Sequence, residues 1–285
     1  MEIKASQVKE LRDMSGVAMM ECKKALVECE GDIEKALDLL RSNSSLKAEK
    51  KASRVAADGV IRIIAADNYA TIIEINSETD FAAKDAGFIA FADEVAAFIA
   101  NNKINNTEEF LNTEVEEKRL SLVQTIGENI QLRRIETIDF NSSMSVGSYI
   151  HSDGKLATLV VIDSSESELA KDIAMHIAAS NPLCKSPEDI DNEVLEREKA
   201  IFETQARESG KDESIMERMV EGKVRKFLAE ASLISQAFIK DPDITVGNLL
   251  DGKKTEVIGY VRFKVGEGIE IESKSFADEV AEQLK

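Results

Sequence analysis

Covalent chemistry needs a nucleophile, a base and an orienting group, or a set of metal ligands, at workable spacing. This sequence supplies few of them. Its two histidines, His151 and His176, form no His-x-x-x-His pair, so a histidine metal site would need carboxylates to complete it. The cysteines, Cys22, Cys29 and Cys184, are odd in number and irregularly spaced, which argues against a disulfide framework. No Gly-x-Ser-x-Gly, His-Glu-x-x-His or Cys-x-x-Cys run occurs. Gly247-Asn248-Leu249-Leu250-Asp251-Gly252-Lys253-Lys254 nearly matches a phosphate-binding loop. It fails where Lys254 replaces the Ser or Thr that would hold Mg²⁺, and a strand is expected after it instead of a helix. Gly266-Glu267-Gly268 is too short for a dinucleotide site and reads as a turn. No catalytic residue, cofactor or metal site is expected.

What remains is Ile75-Asn76-Ser77-Glu78-Thr79-Asp80-Phe81-Ala82-Ala83-Lys84. It sets an acid and a large aromatic side by side where a strand passes into a helix, a place where turn chemistry favours Gly or Asn. Read locally, Asp80 is a helix cap with Phe81 tucked under the loop. An internal repeat favours a second reading. Ala70-Thr71-Ile72-Ile73-Glu74-Ile75-Asn76 resembles Ala157-Thr158-Leu159-Val160-Val161-Ile162-Asp163 at an offset of 87. The helices that follow align at an offset of 78, Phe91 with Leu169 and Phe98 with His176. The first copy therefore holds nine extra residues between strand and helix, and Glu78-Thr79-Asp80-Phe81 lies among them. Residues that the folding unit does not need are candidates for function.

The elements around this stretch follow from periodicity and caps. Residues 1–54 read as three short helices and a basic tail. Ser6 caps the first, whose inner face carries Val8 and Leu11. Met19, Cys22, Leu26 and Cys29 form the stripe of the second, and Asp32 caps the third. Lys47 to Arg54 reads as a helical linker. From Ala57 the period becomes that of strands: Val60 to Ala66 and Tyr69 to Asn76 flank the turn pair Asp67-Asn68. A helix with Phe88, Phe91, Val95 and Phe98 follows, then a helix with Thr113 and Glu116 as a capping box, then a strand at Ile130 to Arg133. Val146 to His151 and Ala157 to Asp163 form a second hairpin, placing His151 at an exposed tip. A helix at 166–180 follows. Ser186-Pro187 opens a charged helix, and a second helix with Ile215, Met219 and Val220 pairs back on it. Thr255 to Val265 completes the second sheet, and Ser275 caps a last helix with Phe276, Val280 and Leu284.

The class expected is α+β. It comprises an N-terminal helical domain and linker (1–54), two related hairpin-plus-helix core subdomains (55–142; 143–181 with 227–265), an inserted antiparallel helical hairpin (182–226) and a C-terminal helical module (266–285). With 285 residues, 43% apolar and 32% charged, the chain can bury a sizeable core. The net charge of −18 argues against direct binding of nucleic acid or an anionic membrane and favours protein partners with basic patches. No apolar run is long enough to span a bilayer. Met1-Glu2-Ile3-Lys4 has neither signal nor transit character, so the cytoplasm is expected.

Several motifs occur together in one order: Leu11-Arg12, Met19-Met20-Glu21-Cys22-Lys23-Lys24-Ala25-Leu26, Gly31-Asp32, Ala56-Ala57-Asp58-Gly59, Thr79-Asp80-Phe81, Ala174-Met175-His176-Ile177-Ala178-Ala179, Met219-Val220-Glu221-Gly222, and Arg262 to Glu270. In this combination the chain resembles the translation elongation factor Ts family over nearly its full length. It departs from the family pattern at Ser15-Gly16-Val17-Ala18, where Thr-Gly-Ala-Gly is usual, and at Ala82, where Val is frequent.

The resemblance implies a guanine-nucleotide exchange factor that binds the GTPase elongation factor Tu, displaces Mg²⁺ and promotes GDP release during protein synthesis. It implies that the N-terminal module is similar to ubiquitin-associated domains and contacts the partner's GTPase domain, with Met19 and Met20 as contacts. It implies that Thr79, Asp80, Phe81 and Ala82 act near the partner's Mg²⁺ and phosphate site, and that His151 meets another partner domain. A homodimer or a higher complex stays open. Two rivals stand beside this reading. A helical adaptor or chaperone-like module would bind without speeding nucleotide release. A hydrolase would turn over substrate with no GTPase present.

Overall fold

The computed structural model describes residues 3–270. The chain divides into two compact units. Among the described residues, 3–64, 73–136 and 263–270 form one; Ala65–Ile72 and Thr137–Arg262 form the other. The expected last helix at Ser275 lies outside the described residues.

The first unit opens with α1 (Ala5–Ser15), α2 (Met19–Glu28) and α3 (Ile33–Lys51). Val8, Leu11, Cys22, Leu26 and Leu40 meet in one apolar cluster. Asp32 caps α3 by accepting from the Lys35 N–H at 3.1 Å. The α1 cap is Lys4, not Ser6; the Gln7 side chain reaches back to the Lys4 N–H at 3.1 Å. Met19 starts α2 exposed, so the buried stripe begins at Cys22. Of the stretch expected as a helical linker, residues 47–51 are the last part of α3 itself, and 52–54 turn out of the helix. Leu40 packs into the N-terminal cluster, while Ala48 on the same helix packs into the sheet cluster. A single helix thus serves two cores, because its apolar positions continue past the first bundle.

The strands β1 (Asp58–Ala65) and β2 (Tyr69–Ser77) form the first hairpin, with the Ala66 N–H donating to Tyr69 O across the turn. Gly59 has φ +142°, and a Cβ there would sit 2.1 Å from Ile75 O, so the close approach of β1 to β2 needs glycine. After β2 come α4 (Asp80–Ala83), α5 (Ala86–Asn102), α6 (Thr107–Leu111), α7 (Glu114–Ile126) and β3 (Gln131–Asp139). The sheet order is β1-β2-β3. Phe88, Phe91, Val95 and Ile99 of α5, with Val115 and Val123 of α7, fill the core against Ile73 and Ile75. The capping box expected at Thr113 is not formed. The Thr113 hydroxyl donates to Phe110 O at 2.7 Å, beside the Thr113 N–H on the same carbonyl at 3.0 Å, and Glu116 pairs with Arg119 at 2.5 Å.

The second hairpin is β4 (Ser145–Ile150) with β5 (Leu156–Ile162), antiparallel with Ser145 opposite Ile162 and Ile150 opposite Ala157. The helix α8 (Ser167–Ser180) lies on it. A Cβ on Gly147 would sit 2.1 Å from Ala170 O, so only glycine lets β4 and α8 come this close. A 3-10 turn occupies Pro187–Asp189, and α9 (Asn192–Glu208) starts after it, capped by Asp191. The charged helix therefore begins five residues after the expected Pro187. It pairs with α10 (Glu213–Ala231). The short strands β6 (Ala237–Phe238) and β7 (Asp241–Thr245) pair with each other, α11 (Val246–Lys253) follows, and β8 (Val257–Lys264) completes the sheet β4-β5-β8. The near phosphate-binding loop is helix α11 almost throughout, capped by Thr245, so its amides bond one another instead of cradling phosphate. No helix among the described residues is long and apolar enough to cross a membrane.

Candidate functional site

The connection from β2 to α5 spans residues 78–85, whereas β5 to α8 needs only 163–166. The difference is smaller than the nine residues counted by alignment because β2 runs on further and α5 starts earlier than their counterparts. Within this connection Thr79 is extended, at φ −125° and ψ 159°, and its hydroxyl accepts from the Ala82 N–H at 3.2 Å. Thr79, not Asp80, is therefore the cap of the short helix α4. The buried Ser77 hydroxyl donates to Thr79 O at 3.0 Å.

Helix α4 splits its residues by face. Ala82 and Ala83 turn inward at 4% exposure each, and Ala83 joins the core cluster. Phe81 turns outward at 82% exposure. The local expectation of a phenylalanine tucked beneath the loop is overturned. Ala82, expected as a partner contact, is buried in the free protein; it seats the turn instead of presenting a surface. Asp80 pairs with Lys84 at 2.7 Å, and this contact raises the Lys84 pKa above its ordinary value. Asp85 then caps α5, accepting from the N–H groups of Gly87 at 2.8 Å and Phe88 at 3.2 Å.

Two residues that the sequence did not single out hold this connection from outside. Glu128 accepts the Thr79 N–H at 2.9 Å and the Thr79 hydroxyl at 2.7 Å. The Asn129 N–H donates to the Glu78 carboxylate at 2.6 Å, and the Asn129 amide donates to Arg54 O at 2.9 Å. Gly127, at φ +88°, ends α7 just before them. That glycine is the one sequence signal at this place, and it marks a helix end without naming a partner.

Thr79, Asp80 and Phe81 share one turn, and Met19 and Met20 are exposed on α2 at 41% and 65%. In the second unit His151 is exposed on the β4–β5 turn, its Nδ1 3.0 Å from Asp153 Oδ1. The Lys155 N–H and then His151 hold the Asp153 carboxyl below its ordinary pKa. His176, by contrast, is fully buried. The Ile239 N–H donates to its Nδ1 at 3.2 Å, so Nε2 carries the proton and donates to Gln236 Oε1 at 2.9 Å. Burial lowers the His176 pKa, with the Gln236 bond acting the other way. It is a structural histidine. Among the described residues, no group of three or more His, Cys, Asp or Glu is placed to hold a metal.

A family profile described as elongation factor TS matches residues 78–267. The elongation factor Ts of Hahella chejuensis is 50% identical over 285 residues, covering 99% of each chain. Those of Saccharophagus degradans and Teredinibacter turnerae are 47% and 48% identical, each covering all of this chain and 98% of the relative. This chain belongs to the elongation factor Ts family. The family match begins at Glu78, at the start of the connection that carries Phe81.

Proposed function

We propose that this chain acts as a guanine-nucleotide exchange factor by presenting Phe81 and Asp80 to elongation factor Tu. The observation that carries the reading is a phenylalanine 82% exposed on a turn whose other residues are anchored. An exposed aromatic gains roughly 1.5–3 kcal/mol when it enters an apolar crevice. An acid delivered beside it competes with the groups that hold Mg²⁺. Factor and nucleotide bind one GTPase, each weakening the other by the same factor. Weakening nucleotide about a thousandfold needs about 4 kcal/mol. Phe81 alone falls short, so further contacts share the task.

Those contacts are assigned to the three N-terminal helices as a ubiquitin-associated-like docking module with Met19 and Met20, to the exposed His151 turn, and to the α9–α10 hairpin. The process is cytoplasmic and makes or breaks no covalent bond. Stopped-flow release of fluorescently labelled GDP from elongation factor Tu, with and without this protein, tests the reading. Faster release that saturates with factor concentration supports it; binding without faster release supports the adaptor alternative.

A further inference from the structure

We infer that Glu128 is a positioning residue for exchange, aiming the Phe81 turn through a two-point grip on Thr79. The inference rests on the exchange reading above and names what that reading leaves unexplained: how a side chain with so little packing keeps a direction.

Phe81 is 82% exposed, so its own ring contributes little to holding it. Helix α4 has four residues, far below the length at which a helix is stable alone. The direction of Phe81 therefore comes from its surroundings: the buried Ala82 and Ala83 seat the turn, and its two ends are held by hydrogen bonds. At the far end, Asp85 caps α5 and fixes the exit. At the near end, Thr79 is held at both its polar groups by one carboxylate, N–H to Oε2 and hydroxyl to Oε1. Both are charge-assisted bonds, stronger than neutral ones. The Thr79 hydroxyl, while donating to Glu128, also accepts the Ala82 N–H, so the cap of α4 and the grip share one atom. Losing the carboxylate frees that hydroxyl to rotate and leaves the Thr79 N–H without its acceptor.

The gripping residue is itself fixed. Gly127 closes α7 with its N–H on Val123 O at 3.0 Å, and Lys51 at the end of α3 donates to Gly127 O. The next residue returns the grip: the Asn129 N–H donates to Glu78, which also meets Arg54 at 3.4 Å. Residues 78–79 and 128–129 thus clasp each other through two carboxylates pointing in opposite directions. A single carboxylate would leave a pivot; two opposed ones remove rotation. Glu128 meets the Phe81 turn through Thr79, so its assigned part is to position that turn.

The test uses the full chain in five forms: unchanged, Glu128→Ala, Phe81→Ala, both together, and Glu128→Gln as the conservative variant. Two readouts are taken: catalysed GDP release across factor concentrations, and amide hydrogen exchange at Thr79 and Ala82 in the free protein. Glu128→Ala should lower the maximal release rate about tenfold, leave the half-saturating concentration within about twofold, and speed Thr79 amide exchange about tenfold, each tenfold being about 1.4 kcal/mol. In the Phe81→Ala background the same change should cost less than about twofold, because residues acting through one another are non-additive. Glu128→Gln keeps one acceptor and should fall between. Equal losses in both Phe81 backgrounds, or an unchanged Thr79 amide, would overturn the role of Glu128 alone. Normal release by Phe81→Ala would instead sink the Phe81 reading on which the inference stands.

Discussion

Replacing Phe81 by alanine separates a docking residue from a core residue. A buried phenylalanine such as Phe88, at 0% exposure, costs about 3–5 kcal/mol when truncated. Phe81 is 82% exposed, so only about a fifth of that burial is present to lose in the free protein. The melting temperature of Phe81→Ala should therefore stay within about 2 °C of the unchanged protein, since about 1 kcal/mol moves a chain of this size by only about 2–4 °C. The cost falls on exchange. If the complex buries half or more of the ring, about 1.4 kcal/mol is lost, and GDP release should slow about tenfold. Stopped-flow release of labelled GDP and differential scanning calorimetry on one preparation measure both quantities. Phe88→Ala serves as the opposite control, destabilised but with an intact site in the folded fraction. A Phe81→Ala protein that melts lower while releasing GDP at the normal rate would refute the reasoning.

Asp80→Ala should slow release less than Phe81→Ala, and its effect should change with Mg²⁺ concentration; a Mg²⁺-independent loss would show that Asp80 acts through Lys84 or the turn alone. His176→Phe should flatten the acid dependence of stability. Burial holds the folded-state pKa below the ordinary 6.5, so the neutral form's stabilisation is complete above 6.5. It then drains, as pH falls towards the folded value, by at most about 1.4 kcal/mol per pH unit. Urea midpoints from about pH 7.5 to about pH 5 check this, and equal slopes in both proteins would count against it. Replacing residues 194–226 by a short Gly/Ser linker should leave the remaining protein's melting temperature nearly unchanged, because none of α9 or the bulk of α10 enters a core cluster. A large drop in calorimetry would show that the hairpin is structural.

The legible part of this protein is what neighbours in sequence decide. Short β-branched apolar runs on either side of turn residues placed the two hairpins, although β2 and β5 are buried almost throughout instead of on one face. Asp32 was readable as a cap because its partner, the Lys35 N–H, is three residues away. The repeat located the extra connection, since two copies of one folding unit expose what only one of them carries. What periodicity could not decide was Phe81. Local chemistry allowed it under the loop or out of it, and the answer depended on Ala82 and Ala83 packing inward against a core assembled from distant helices.

Only tertiary structure decided the rest. Glu128 grips Thr79 across 49 residues, and no local pattern pairs a glutamate after a helix-ending glycine with a threonine on another turn. In the sequence Glu74 is one residue of the repeated strand, aligned with Val161. In the fold it is fully buried and accepts from Arg133, Arg134 and the Gly266 N–H, residues brought to it from β3 and from the turn after β8. Helix α3 read as a bundle helix followed by a linker because its charged tail hides Ala48, a residue too small to register as an apolar face until the sheet closes over it. Sequence determines where hydrogen bonds between near neighbours form and which faces are apolar. Which carboxylate meets which backbone amide follows only when those faces have chosen their partners.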